Sequence, residues 1–188
     1  MPARPFAILL LCACLAACAS TAAHQPFERL DEQTGMTVSG LAEPLEFVES
    51  GLLSVNKHAS FAYLGPVEWD RMGDISYGLW LHIAPGNDRQ VAGIDAPSAV
   101  SLSLADGDLV LEAMPAPKLG KDAYAALVPW GQTVYFKATP AMLRRIAASG
   151  QLLIRCRGAD GELVEFKPDQ SPEPVFATFV QARGITGD

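Results

Sequence analysis

The chain has 188 residues, 14 Lys+Arg against 21 Asp+Glu, a formal net charge of −7, 49% hydrophobic residues and four cysteines. That length fits one domain of ordinary size, and the acidic balance excludes a basic nucleic-acid binder while the apolar content excludes a disordered tail. The positive mean hydropathy of +0.17 comes almost wholly from the first 17 residues, which excludes a multi-span membrane protein.

Met1-Pro2-Ala3-Arg4-Pro5 is a short basic start, followed by an apolar run over 6–14 and then Leu15-Ala16-Ala17-Cys18. A spanning helix needs about 20 apolar residues, and this run breaks at Ser20-Thr21. The segment therefore reads as a removable secretory signal. Leu15-Ala16-Ala17-Cys18 resembles the lipobox of bacterial lipoproteins, where small residues admit an extended segment to a peptidase and a thiol accepts the lipid. The resemblance implies cleavage before Cys18 and acylation of Cys18. Because Ala19 rather than Asp follows, it also implies sorting to the outer membrane, with the domain facing the periplasm. Ordinary cleavage is the alternative, since Ala17-Cys18-Ala19 also fits a small-x-small site, and Cys14 offers a second, poorer lipobox-like position. Several acyl chains hold far more firmly than one, so no protein span is needed.

The predicted organisation is a signal peptide over 1–17, a lipidated N-terminus and polar tether over 18–33, and a single β-rich domain over 34–188. Short strands are predicted over 36–38 and 45–48, then over 60–69 with a bend at Gly65-Pro66. Residues 75–83 alternate, placing Ile75, Tyr77, Leu79, Leu81 and Ile83 on one face and Ser76, Gly78, Trp80 and His82 on the other. Pro85-Gly86-Asn87-Asp88 supplies a turn. Strands over 99–104 and 109–113 flank the hairpin signal Asp106-Gly107, and 114–120 reads as a loop. Strands over 124–128 and 133–138 meet around Pro129-Trp130-Gly131. A second hairpin joins 152–157 and 162–167.

Two segments switch to helical period. Thr139 is an N-cap with Pro140 behind it, Met142, Leu143, Ile146 and Ala147 form an apolar stripe, and Gly150 is the stop. Ser171-Pro172-Glu173-Pro174 opens the other helix, with Val175, Phe176, Phe179 and Val180 on one face. The pattern predicts an antiparallel β-sandwich or open barrel of about eight to nine strands, with two helices in the C-terminal half. With Cys12 and Cys14 in the leader and Cys18 lipidated, Cys156 has no intrachain partner. It alternates with Leu152 and Ile154 and is expected to be a core thiol.

No known catalytic or metal-binding motif stands in the chain. Apart from His24 in the expected tether, His58 and His82 are 24 positions apart without Cys or acidic spacing around them, and His82 is expected to be exposed or half-buried. Asp95, Asp106 and Asp108 could offer oxygens to a cation, but they fall in turns, where Asp is common anyway. No metal and no cofactor are expected, and no nucleic acid. The densest unusual stretch is Pro66-Val67-Glu68-Trp69-Asp70-Arg71-Met72-Gly73. Glu68, Trp69, Asp70, Arg71 and the nearby Trp80 form a candidate binding rim, because Trp and Arg anchor interfaces. The plainer reading packs Trp69 over a sheet end and pairs Arg71 with Asp70 or Asp74.

Glu28-Arg29-Leu30-Asp31-Glu32-Gln33-Thr34-Gly35, the 66–73 stretch and Gly78-Leu79-Trp80-Leu81 resemble a group of uncharacterised proteobacterial lipoproteins. That group has no assigned activity, so the resemblance implies no catalytic residue. The leading expectation is a lipid-anchored, non-enzymatic envelope module that binds or assembles with a protein partner, held to membrane lipid through acylated Cys18. The rival is a small periplasmic hydrolase or inhibitor whose site is assembled in space. An exposed aromatic patch at Trp69 would favour the first. A pocket joining His58, His82 or several buried carboxylates would favour the second.

Overall fold

The computed structural model describes residues 24–50, 59–86, 100–157, 161 and 163–185. The leader, Cys18, His58 and Asp95 lie outside them. The described residues form strands β1 (Pro26–Asp31), β2 (Met36–Leu41), β3 (Leu45–Glu49), β4 (Phe61–Arg71), β5 (Asp74–Ala84) and β6 (Val100–Leu104). They continue as β7 (Gly107–Val110), β8 (Ala113–Met114), β9 (Gln132–Ala138), α1 (Pro140–Ala148), β10 (Leu152–Arg157), β11 (Leu163–Pro168) and α2 (Pro172–Ala182). The strand order is β7-β6-β10-β11-β3-β4-β5-β9-β8, with β2 on β4 and β1 outside β2. This is one antiparallel sheet curled into a half-barrel. The open barrel, and not a sandwich of two sheets, is the form the mainly β pattern takes.

The long β4–β5 hairpin is its spine, in register from Phe61↔Ala84 to Arg71↔Asp74. Met72 (φ 56°) and Gly73 (φ 92°) close it. Two successive left-handed residues suit a two-residue hairpin turn, and Asp70 Oδ1 accepts from Gly73 N at 2.7 Å. Along its other edge β4 changes neighbour. Phe61 to Leu64 pair with β3, and Glu68 to Asp70 pair with β2. Gly65-Pro66 is thus the junction between two partners inside one continuous strand. Proline is tolerated there because that edge requires no ladder N–H from it.

Both faces of the sheet are covered. On one, Leu64, Leu79, Leu81, Ile83 and Phe136 pack with Leu143 and Ile146 of α1 and Val175, Phe176 and Phe179 of α2. Thr139 caps α1 by accepting from Met142 N at 3.2 Å. The helix stops at Ser149 rather than Gly150; the Ser149 hydroxyl accepts from Ala105 N at 3.2 Å and ties the helix end to the β6–β7 turn. At the end of α2, Arg183 bridges Glu28 at 2.9 Å and Glu68 at 3.1 Å, joining the helix to β1 and β4. Cys156 is buried in this core, and burial pushes its thiol up to about 12.

Two sequence expectations are corrected. Residues 26–31 are not tether: they form β1, paired from Pro26↔Leu41 to Asp31↔Met36. Their polar residues concealed a two-period in which Phe27, Arg29 and Asp31 face the sheet's covering loop. Residues 124–128 are not a strand. They belong to the long connection between β8 and β9, where Ala123 and Tyr124 are buried and Ala125, Ala126 and Leu127 lie exposed.

Candidate functional site

The face opposite the helices carries a separate aromatic cluster. Val67 and Trp69 of β4, Trp80 of β5, Tyr135 of β9 and Val38 of β2 meet Ala123 and Tyr124 from the β8–β9 connection. Strand alternation builds the sheet side of this cluster, because Trp69, Trp80 and Tyr135 all stand on the same side. Glycines make room for the rings. A Cβ on Gly78 would lie 2.5 Å from Trp69 Cη2, one on Gly65 2.5 Å from the Tyr124 ring, and one on Gly131 2.3 Å from His82 Nε2.

Tyr124 is the plug. Its hydroxyl accepts from Leu41 N at 3.0 Å and donates to Pro66 O at 2.9 Å. These are backbone groups left over where β4 passes from β3 to β2, so the phenol completes a gap in the ladder. Its own pKa is raised by burial. Arg29 donates to the carbonyls of Lys121 and Asp122 at 2.7 and 2.5 Å. Asp31 Oδ1 accepts from Gly120 N at 2.9 Å. The covering loop is therefore bound to β1 by three backbone contacts and to the sheet by one phenol.

His82 is fully buried, against the expectation of an exposed or half-buried strand histidine. The loop covers the face that alternation alone marked as the open one. Its ring stacks on Trp80 (centroids 5.6 Å apart, 14° between planes) and its Nδ1 lies 2.8 Å from Thr133 Oγ1. Burial lowers its pKa, with the Val128 carbonyl acting in the opposite sense. Among the described residues, Trp69 Nε1 and Trp80 Nε1 are buried ring nitrogens without a hydrogen-bond partner. The imidazole, stacked on Trp80 and shifted toward its neutral form by burial, packs beneath the loop.

The expected binding rim does not assemble as one surface. Trp69 and Trp80 are 3% and 0% exposed, inside the aromatic cluster. Glu68 is buried on the opposite face against Arg183. Asp70 is engaged in the hairpin turn, and Arg71 is exposed at its end. Consecutive strand residues point to opposite sides of the sheet, so 68, 69, 70 and 71 cannot form one patch. Asp106 pairs with Arg145 at 2.7 Å and Asp108 lies 3.4 Å from Arg155, so both turn aspartates are spoken for by arginines.

Large apolar side chains are exposed singly at Leu30, Met72, Ile75, Val110 and Leu163, and two more, Leu127 and Trp130, stand close together on the covering loop. Residues 125–130 read Ala-Ala-Leu-Val-Pro-Trp, without a charged side chain. All but Val128 are exposed, with Leu127 at 53% and Trp130 at 67%. Beside them is a hollow of about 420 Å³ walled by Phe27, Ala42, Pro44, Tyr124 and Leu127, with Arg29, Glu43 and Lys121 at its polar margin. The sequence signal was present as eight uncharged residues between Asp122 and Gly131, but residues 124–128 read as a strand. Searches against protein-family models, curated proteins and solved structures give no match to this chain.

Proposed function

We propose that this protein is a lipid-anchored envelope lipoprotein, acylated at Cys18, whose half-barrel serves as a non-enzymatic binding or assembly module at the outer membrane, facing the periplasm. The observation that carries the reading is Leu15-Ala16-Ala17-Cys18 directly after a short apolar run with a basic start. Among the described residues no helix is long and apolar enough to cross a membrane, and a lipid anchor supplies attachment without one. The chemistry of the buried groups agrees with a structural use. His82 stacks and is held neutral, and Cys156, with its thiol raised to about 12, is a poor nucleophile at neutral pH.

Metabolic labelling with a radioactive fatty acid tests the reading. The wild-type chain is expected to incorporate label and fractionate with the outer membrane, and Cys18→Ala to abolish the label. An unlabelled mature protein free in the periplasm would refute it. A pull-down with the acylated protein from native envelopes then tests the assembly role, which predicts a stoichiometric partner.

A further inference from the structure

Resting on the lipid anchor just proposed, we infer that residues 125–130, with Leu127 and Trp130 at their outer side, seat in the interface of the same bilayer that holds Cys18. The anchor is short. Only five residues separate Cys18 from His24, and an extended chain advances at most ~3.3–3.6 Å per residue, which limits the six steps to ~20 Å. Crossing the headgroup layer uses roughly 5–8 Å of it. His24 is therefore held within ~15 Å of the membrane surface, about one radius of gyration for a domain of this size. Because β1 begins at Pro26, the domain has no long leash on which to turn its other sides to the lipid.

Two surfaces flank the entry point: the start of α2, where Gln170 lies 2.6 Å from the His24 ring, and the apolar loop. Gln25 O accepts from Ala42 N at 2.8 Å. Ala42 and Pro44 form one wall of the 420 Å³ hollow and Leu127 another. Trp130 is three residues further on, within ~10 Å along the chain. An uncharged stretch carrying an exposed Leu, Pro and Trp is costly to leave in water on an otherwise acidic chain. Trp is also the residue favoured at the depth where hydrocarbon meets headgroups. Lys121 and Arg29 share the margin of the hollow with Glu43, and in the proposed orientation the two cations are the groups that would meet the phosphates. The loop is braced for such contact: Tyr124, Arg29 and Asp31 fix its base to the sheet while 125–130 project outward.

The test uses the full acylated chain in phosphatidylethanolamine–phosphatidylglycerol vesicles, with and without bromine on the acyl chains. Trp69 and Trp80 are buried, so the change in emission on lipid binding reports Trp130, and Trp130→Phe identifies that signal. The expected result is co-flotation of wild type and Trp130→Phe alike through the Cys18 lipid, with a blue shift, several-fold weaker acrylamide quenching and strong quenching by the brominated lipid in wild type, these three optical changes being absent in Trp130→Phe. A protein that floats with the vesicles while Trp130 stays open to acrylamide and unquenched by bromine overturns the seating and leaves the Cys18 anchor standing. A chain that neither takes up fatty acid nor floats overturns the anchor and the seating together. Protection of Trp130 that appears only in native envelopes, and not in lipid vesicles, assigns the loop to a protein partner and also overturns the inference.

Discussion

Tyr124→Phe removes one oxygen and leaves every apolar contact of the ring, so it isolates what the phenol does at the β3–β4–β2 junction. Two hydrogen bonds are lost, to Leu41 N and to Pro66 O. Leu41 is fully buried and Tyr124 nearly so, so water cannot replace the hydroxyl without opening the loop. A typical hydrogen bond contributes about 1 kcal/mol net, and a buried group left without a partner costs about 1–3 kcal/mol. With a donor and an acceptor both orphaned, the expected loss is about 2–4 kcal/mol. For a domain of this size each kcal/mol lowers the thermal midpoint by roughly 2–4 °C, which gives a fall of roughly 5–15 °C. Thermal and urea unfolding measure the loss, and hydrogen exchange at the Leu41 amide locates it, since that amide should lose protection ahead of the β4–β5 ladder. Gly65→Ala approaches the same junction from the sheet side by placing a Cβ 2.5 Å from the ring. The two substitutions share a partner, so the double variant should lose less than the sum of the singles. A midpoint within a degree of wild type, with Leu41 exchange unchanged, would refute the role assigned to the phenol.

His82 is held neutral by burial, so its folded pKa lies below the unfolded value near 6.5. Below pH 6.5 the unfolded chain binds the proton first, and stability should fall as pH drops through that range towards the folded pKa. Unfolding at pH 7.5 and 5.5 should show a smaller difference in His82→Gln than in wild type. Gly78→Ala drives a Cβ into Trp69 and should cost about 1–3 kcal/mol by overpacking, with loss of near-ultraviolet aromatic signal. Cys156 should resist alkylation in the native protein and react once denatured, and Cys156→Ala should cost about 1 kcal/mol with no change in fold; rapid native labelling would contradict its placement. Trp130→Ser should leave the thermal midpoint of the detergent-solubilised protein within about 2 °C, as expected of an exposed side chain. Trp69→Ala should cost about 3–5 kcal/mol, as a buried aromatic does.

The elements written by short-range pattern were legible in the sequence. Alternation from Ile75 to Ile83 marked β5, Asp106-Gly107 marked the β6–β7 hairpin, and Thr139-Pro140 marked the start of α1, because each depends on neighbours within a turn or two. The pairing of Leu152, Ile154 and Cys156 on one buried face followed from the same two-residue period. What the sequence could not contain was which face would be covered, and by what. Trp80 and His82 stood on the less apolar side of β5, and only the return of the 115–131 connection across the sheet put them inside. Glu68 to Arg71 looked like one patch because they are adjacent in the chain, whereas the pleat divides them between two faces. β1 was hidden for the complementary reason. Arg29 and Asp31 look like linker residues until their partners, some 90 positions away at Gly120 to Asp122, are brought beside them. Burial of a polar side chain depends on the group that meets it, and in this protein those meetings are made by long-range strand exchange at Gly65-Pro66 and by one tyrosine that closes the gap it leaves.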